Sequence, residues 1–175
     1  MFECKPFQDL DALRAAPHRI DNSVDLDCTP DELFAIFDDE HTWPEWVPGI
    51  AAVNWTSPRP FQVGTTRTVV FQGGGMEVYE DFIAWDTGKH MAFTFTGATQ
   101  RIWWAFGEEY LVTDLGEGRC RLDWTVAYEP RFVFKALHFL LGPLMSWGLG
   151  RVLRGLGPYV QRWKTQQRTT PEGTS

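Results

Sequence analysis

Basic clusters, paired cysteines and long uncharged runs are all scarce in this 175-residue chain, and each scarcity closes off a class of protein. Sixteen Lys and Arg stand against 23 Asp and Glu, for a net charge of −7. The net charge gives no sign of a basic stripe to neutralise phosphates, so general nucleic-acid binding is not expected. Cys4, Cys28 and Cys120 are odd in number and lack paired spacing. Reduced thiols in a cytoplasmic protein fit them better than a disulfide framework. The N-terminus has no cationic start leading into an apolar run, so no secretory signal is expected. Ala136–Gly150, the longest uncharged stretch near the C-terminus, is short for a bilayer and is interrupted by Gly142-Pro143, so no transmembrane segment is expected. His18, His41, His90 and His138 fall on separate elements with no ligand spacing. No metal site, no cofactor and no Ser-His-Asp or Cys-His set is predicted from them.

Aromatic residues are abundant instead, with nine Trp and thirteen Phe. They suit either an aromatic-rich core or an aromatic-lined pocket, and composition does not choose between the two. A single domain is predicted over residues 19–167, behind an N-terminal extension of residues 1–18 with one amphipathic turn at Phe7–Ala15. A flexible polar tail, residues 168–175, is expected to follow it. Arg19–Cys28 alternates strictly, with Ile20, Asn22, Val24, Leu26 and Cys28 on one face and acids on the other, which reads as a half-buried strand. It stops at Thr29-Pro30-Asp31-Glu32, a capping threonine, a proline suited to the first turn and a glutamate that completes a capping box. Leu33, Phe34, Ile36 and Phe37 form the buried face of that short helix. Residues 21–40 carry eight acids and no Lys or Arg, the pattern of a solvated face with helix N-terminal acids, or of an acidic patch for a basic partner.

His41–Ile50 reads as a helical turn and loop. Strands are predicted at Ala52–Thr56, Thr65–Phe71, Met76–Trp85, His90–Thr96, Ile102–Thr113 and Arg119–Tyr128, separated by Pro- and Gly-rich turns, and so paired antiparallel. Gly73–Gly75 is a hairpin turn, because a phosphate loop would need a following helix and a Lys-Ser/Thr pair. From Phe132 the period becomes helical. Leu137, Leu141, Leu144, Gly148, Val152, Leu156, Tyr159 and Trp163 are predicted to share the inward stripe. Gly142-Pro143 is expected to kink this segment, with the longer helix beginning near Pro143 or Leu144.

In that order of elements the chain resembles the SRPBCC, or START-like, superfamily, specifically its polyketide cyclase/dehydrase and lipid-transport branch. The resemblance rests on the strand Arg19–Cys28 leading into Thr29–Phe34, on Trp43–Ile50 (WPEWVPGI), Val63-Gly64-Thr65, Val78–Asp86 (VYEDFIAWD) and Gly116–Leu122 (GEGRCRL). It implies an α+β helix-grip fold: a curved antiparallel sheet of about seven strands around a long, kinked C-terminal helix, with a cavity between them. It also implies binding of lipids, polyketides, hormones or quinones there, and with the aromatic-rich lining a hydrophobic ligand of lipid, polyketide or isoprenoid type is expected. Some members catalyse cyclisation or dehydration.

Strand parity then nominates the lining. Arg67 shares a face with Val69 and Phe71, and Glu80 one with Val78 and Phe82, so two charges interrupt adjacent apolar faces and are expected to pair. Either they form a structural ion pair or they orient a polar ligand group. Phe93, Phe95, Trp124 and Gly148 are assigned to the ligand site, and so are Trp104, Glu108 and Tyr110 by shared parity on one strand. His41 and Trp46 are placed at the mouth. Glu80, Glu108 and Tyr110 are the candidate catalytic groups, since a carboxyl beside a tyrosine suits acid–base work. Adjacent Trp103 and Trp104 must face opposite sides, and the outward one would mark an oligomer contact, so a homodimer is also considered. Three functions are carried forward: a binding protein for a hydrophobic small molecule, a cyclase or dehydratase using a cavity carboxylate, and an interaction module using the acidic face.

Overall fold

The computed structural model describes residues 1–131 and 138–169. Its main path is seven antiparallel strands. They are β2 (His18–Leu26), β3 (Ile50–Trp55), β4 (Thr66–Phe71), β5 (Glu77–Asp86), β6 (His90–Ala98), β7 (Trp103–Gly116) and β8 (Arg119–Pro130). Their order, β2-β8-β7-β6-β5-β4-β3, brings the first long strand beside the last and curls the sheet into a half-barrel. Burial alternates along β2, β4, β5 and most of β8, while β6 is buried on both faces. The hairpin turns carry glycines where the backbone turns left-handed, as at Gly73 and Gly74 (φ 80° and 66°).

Between β2 and β3 lie helix α2 (Pro30–Asp38) and the single turn α3 (Trp43–Trp46). The capping box forms as read. The Glu32 amide donates to Thr29 Oγ1 at 3.2 Å, and the Thr29 amide to Glu32 Oε2 at 2.9 Å. Leu33, Phe34, Ile36 and Phe37 are buried. Trp43 is locked under them by a 2.9 Å bond from its Nε1 to the Phe37 carbonyl.

The long helix α4 (His138–Thr169) packs against the curl. It is helical through both Pro143 and Pro158, so it begins by His138 rather than near Pro143; the segment 132–137 lies outside the described residues. Its inward stripe is Met145, Leu149, Val152, Leu156, Tyr159 and Trp163. That corrects the phase of the first turns. Leu144 is 61% exposed and Met145 takes its place, because at 100° per residue either neighbour continues the stripe and only packing selects one. No helix among the described residues is long and apolar enough to cross a membrane.

Residues 1–18 are built into the sheet. Strand β1 (Phe2–Glu3) pairs antiparallel with β6, Phe2 opposite Ala98. Helix α1 (Leu10–Arg14), capped by Asp9, lies on the sheet face opposite α4, with Leu13 fully buried. Gly107 makes this approach possible, since a Cβ there would sit 2.8 Å from the Phe93 carbonyl and 2.9 Å from the Phe7 ring. The arm is tied by the Phe7 amide to Thr94 Oγ1 (2.9 Å) and by an ion pair from Arg14 to Glu109. His90 Nε2 meets the same carboxylate at 2.9 Å. Burial pushes Glu109 up, but the His90 and Arg14 contacts outweigh it and hold its pKa at about 2. The three cysteines are free and buried, and the fold brings Cys28 and Cys120 together with sulfurs 3.8 Å apart.

Candidate functional site

The inward residues of β4 to β8, with α3 and α4, enclose a cavity of about 270 Å³. Its walls are apolar and aromatic: Trp43, Phe71, Phe93, Phe95, Trp103, Phe106 and Trp124 on the sheet and α3 side, Met145, Leu149 and Val152 on the helix. Four polar side chains enter it: Arg67, Glu80, Glu108 and Tyr110.

Arg67 and Glu80 stand directly opposite each other in the β4–β5 ladder, and Arg67 Nε donates to Glu80 Oε2 at 2.5 Å. Both are buried, at 2% and 4% exposure. Four rings surround the guanidinium carbon, with centroids 4.3 Å (Trp43), 4.8 Å (Phe93), 5.1 Å (Phe82) and 5.2 Å (Trp55) away. Such a box stabilises the cation through the ring quadrupoles. Burial pushes Glu80 above the ordinary carboxylate range, with Arg67 pulling the other way. The pair is not self-sufficient. Arg67 Nη1 is buried with no hydrogen-bond partner among the described residues, as is Nε1 of Trp46 on the same cavity wall. Each unmatched donor costs about 1–3 kcal/mol, and neither atom presents accessible surface to the chamber, so an acceptor oxygen would relieve the cost only where the surrounding rings give way to it.

Glu108 lies on β7, and the Tyr110 hydroxyl (2.5 Å) and Trp124 Nε1 (2.9 Å) both donate to its Oε2. It keeps accessible surface although protein surrounds it, and that surface is turned to the cavity. Burial, joined by the Glu80 charge, pushes its pKa up to about 7 against the pull of Tyr110, Trp124 and Arg67. Burial and the adjacent carboxyl keep Tyr110 protonated far above the usual phenol range. The site therefore presents one carboxyl poised to gain or lose a proton near neutrality beside a hydroxyl that only donates.

The cavity collects Trp46, Arg67, Glu80, Phe93, Phe95, Glu108, Tyr110 and Trp124, and leaves out three residues nominated from sequence. Trp104 is 47% exposed. An irregularity in the β7–β8 ladder between Trp103 and Ala105 resets the parity, so Trp103 turns inward and Trp104 outward beneath the Arg131 guanidinium. His41 is exposed and lines a separate hollow with Pro44 and Asn54, because Trp43 and Trp46 take the inward positions of that turn. Gly148 faces open space one position from the lining residue Leu149. Sequence reasoning also passed over Trp43 and Trp103 as lining. For Trp43 the signal was present, since Trp43 and Trp46 at i and i+3 share a helical face. Among the described residues no group of three or more His, Cys, Asp or Glu side chains is arranged to hold a metal ion.

The sequence pattern of the family described as polyketide cyclase / dehydrase and lipid transport matches residues 17–160, most of the chain. The chain belongs to this family. Two relatives, uncharacterized proteins of Mycobacterium bovis and Mycobacterium tuberculosis, are each 41% identical over 145 residues, covering 83% of this chain and 86% of theirs. Solved structures agree on the fold of this family member. A START superfamily protein from Mycobacterium smegmatis superposes with a TM-score of 0.64 at 14% identity, covering 87% of this chain and 99% of its own. The Zhui aromatase/cyclase from a Streptomyces species gives 0.68 at 13% identity, covering 90% and 99%. At that identity the likeness is one of architecture, and the chemistry of this family member has to be argued from its own cavity.

Proposed function

We propose that this family member binds a hydrophobic small molecule of lipid, polyketide or isoprenoid type in the cavity between the sheet and α4, and that the ligand carries an acceptor oxygen. The observation that carries the reading is the combination of an aromatic chamber with two buried, unmatched donors, Arg67 Nη1 and Trp46 Nε1. Apolar walls supply affinity, while a carbonyl or carboxylate oxygen that reaches those donors as the rings over them shift would fix orientation. Native mass spectrometry of the protein from its own host, followed by organic extraction, tests it. A bound oxygenated apolar compound is expected. A protein that carries nothing and takes up no apolar fluorophore would overturn the reading.

A second reading is favoured by Glu108 and Tyr110. A carboxyl with a pKa of about 7 can accept a proton from an acidic carbon and return it to oxygen, while the Arg67 cation polarises a carbonyl. This is acid–base chemistry of the cyclisation or dehydration kind. It predicts that Glu108→Gln abolishes turnover of a polyketide-like substrate while leaving its binding within a fewfold. Equal turnover by wild type and Glu108→Gln would reduce the site to binding alone.

A further inference from the structure

Charge is divided unevenly along this chain. Between Glu129 and Glu172 there is no acid and there are seven Lys or Arg, while the other nine cations share the rest of the chain with all 23 acids. Helix α4 turns part of this cationic segment into a face. Leu144, Trp147, Arg151, Arg154 and Arg162 recur at spacings of three, four and eight, and all five are exposed, on the side opposite the cavity stripe of Met145, Leu149 and Val152. Leu144 is 61% and Trp147 59% exposed, among the most exposed large apolar side chains of the described residues. Among those residues no carboxylate forms an ion pair with Arg151, Arg154 or Arg162, whereas Lys164, on the flank, is held by Glu32 at 3.0 Å. The Arg151 guanidinium stands 6.0 Å from the Trp147 ring, so apolar and cationic groups form one continuous surface.

We propose that this outward face of α4 docks on an anionic lipid bilayer, with Trp147 and Leu144 entering the headgroup boundary and Arg151, Arg154 and Arg162 pairing with lipid phosphates. A helix with one apolar flank, a Trp and a cationic face lies in the interface plane rather than spanning it, which agrees with α4, long as it is at 32 residues, having no stretch apolar enough to cross. Charge complementarity selects the occupant. A neutral apolar partner would leave three arginines unanswered, whereas lipid phosphates answer them. Screening within about 8 Å at physiological salt lets this local patch outweigh the net charge of −7. The turns that would touch lipid are the same turns whose other side roofs the cavity, so docking would set the chamber against a bilayer. The inference stands apart from the ligand reading and fails independently of it.

Vesicle flotation of the full chain tests it, comparing pure phosphatidylcholine with phosphatidylcholine containing phosphatidylglycerol, at low and high salt. Flotation with the anionic vesicles only, lost at high salt, is expected. Arg151→Gln/Arg154→Gln should lower partitioning roughly twenty-fivefold, about fivefold per arginine. Leu144→Ala/Trp147→Ala should lower it at least tenfold. Both pairs lie outside the cavity lining, so melting temperature and uptake of an apolar fluorophore should match the wild type. No flotation, equal flotation with neutral vesicles, or variants that float like the wild type would overturn the proposal. So would a dimer in light scattering that Leu144→Ala/Trp147→Ala converts to monomer without any vesicle binding. Capture of an oligonucleotide in preference to anionic vesicles, through the same arginines, would also overturn it.

Discussion

Removing either member of the Arg67–Glu80 pair should cost far more than breaking a surface ion pair, with a different pH dependence at each end. Arg67 is 2% and Glu80 4% exposed, so a charge left alone there has little water to turn to. Loss of one partner from a buried pair costs about 3–5 kcal/mol, against about 0–1 kcal/mol for an exposed one. In Glu80→Gln the stranded group is a guanidinium, which stays charged at any usable pH, so that loss varies only through the titration of wild-type Glu80 and shrinks as pH rises. In Arg67→Met the stranded carboxyl can take up a proton. Burial already raises Glu80 and Arg67 is what lowers it, so without Arg67 the folded-state pKa climbs further above the unfolded value. A carboxyl raised in the folded state contributes stability that is present below its unfolded pKa and is lost as pH rises through the folded one. Arg67→Met should therefore be least destabilised near about pH 5 and most near about pH 8. Replacing both, as Arg67→Met/Glu80→Leu, removes the stranded charge and should recover most of the loss. Urea unfolding at the two pH values, read by circular dichroism, measures all three variants. Single variants that each lose less than about 1 kcal/mol, or an Arg67→Met loss independent of pH, would refute the reasoning.

Glu108, raised to about 7, should make wild-type stability fall relative to Glu108→Gln as pH climbs from about 4.5 through 7, by up to about 3 kcal/mol; urea unfolding across that window checks it. Glu109 has the opposite sign. Held at about 2, it contributes stability that is present above about 4.5 and is lost as pH falls through 2, roughly 1–2 kcal/mol after discounting for the half-exposed Arg14. Glu109→Gln should accordingly speed amide exchange in residues 2–15. Leu13→Ala should cost about 2–5 kcal/mol in denaturant, because the side chain is fully buried under the arm. Thr29→Ala should cost about 1 kcal/mol through the lost cap on α2, again by urea unfolding.

Most strands and the polar pair in the cavity were legible because their signals are local and periodic. Alternation placed Arg67 and Glu80 on inward faces of successive strands, and the ladder sets them opposite each other. Legibility failed where one residue of irregularity breaks a period. The irregularity at Trp103/Ala105 exchanges the roles of two adjacent tryptophans, and no alternation rule carries across it. At the start of α4 the stripes through Leu144–Gly148 and Met145–Leu149 have the same spacing, so the pattern alone left the phase open by one residue. The N-terminal arm was hidden for another reason. A two-residue strand has no period, and its anchors, Arg14 on Glu109 and Leu13 over Gly107, join residues more than ninety apart in sequence. The pKa of Glu108 was equally out of reach, because it follows from the depth of the chamber and from Trp124, contributed by a different strand.

The neighbours Glu108 and Glu109 face opposite sides of β7, one kept near neutrality and the other held ionised down to about 2. Sliding β7 by a single residue between β6 and β8 would exchange them. The carboxylate that is hardest to protonate would then sit among the cavity aromatics, and the one that resists ionisation would face Arg14 and His90. The same slip would drive the Phe106 side chain into the place of Gly107, where even a Cβ lies 2.8 Å from the Phe93 carbonyl. Mispairing of this central strand is thus penalised on both faces and at the backbone at once. Two carboxyls of contrasting acidity, side by side in the chain, act as a built-in check on how the sheet is assembled.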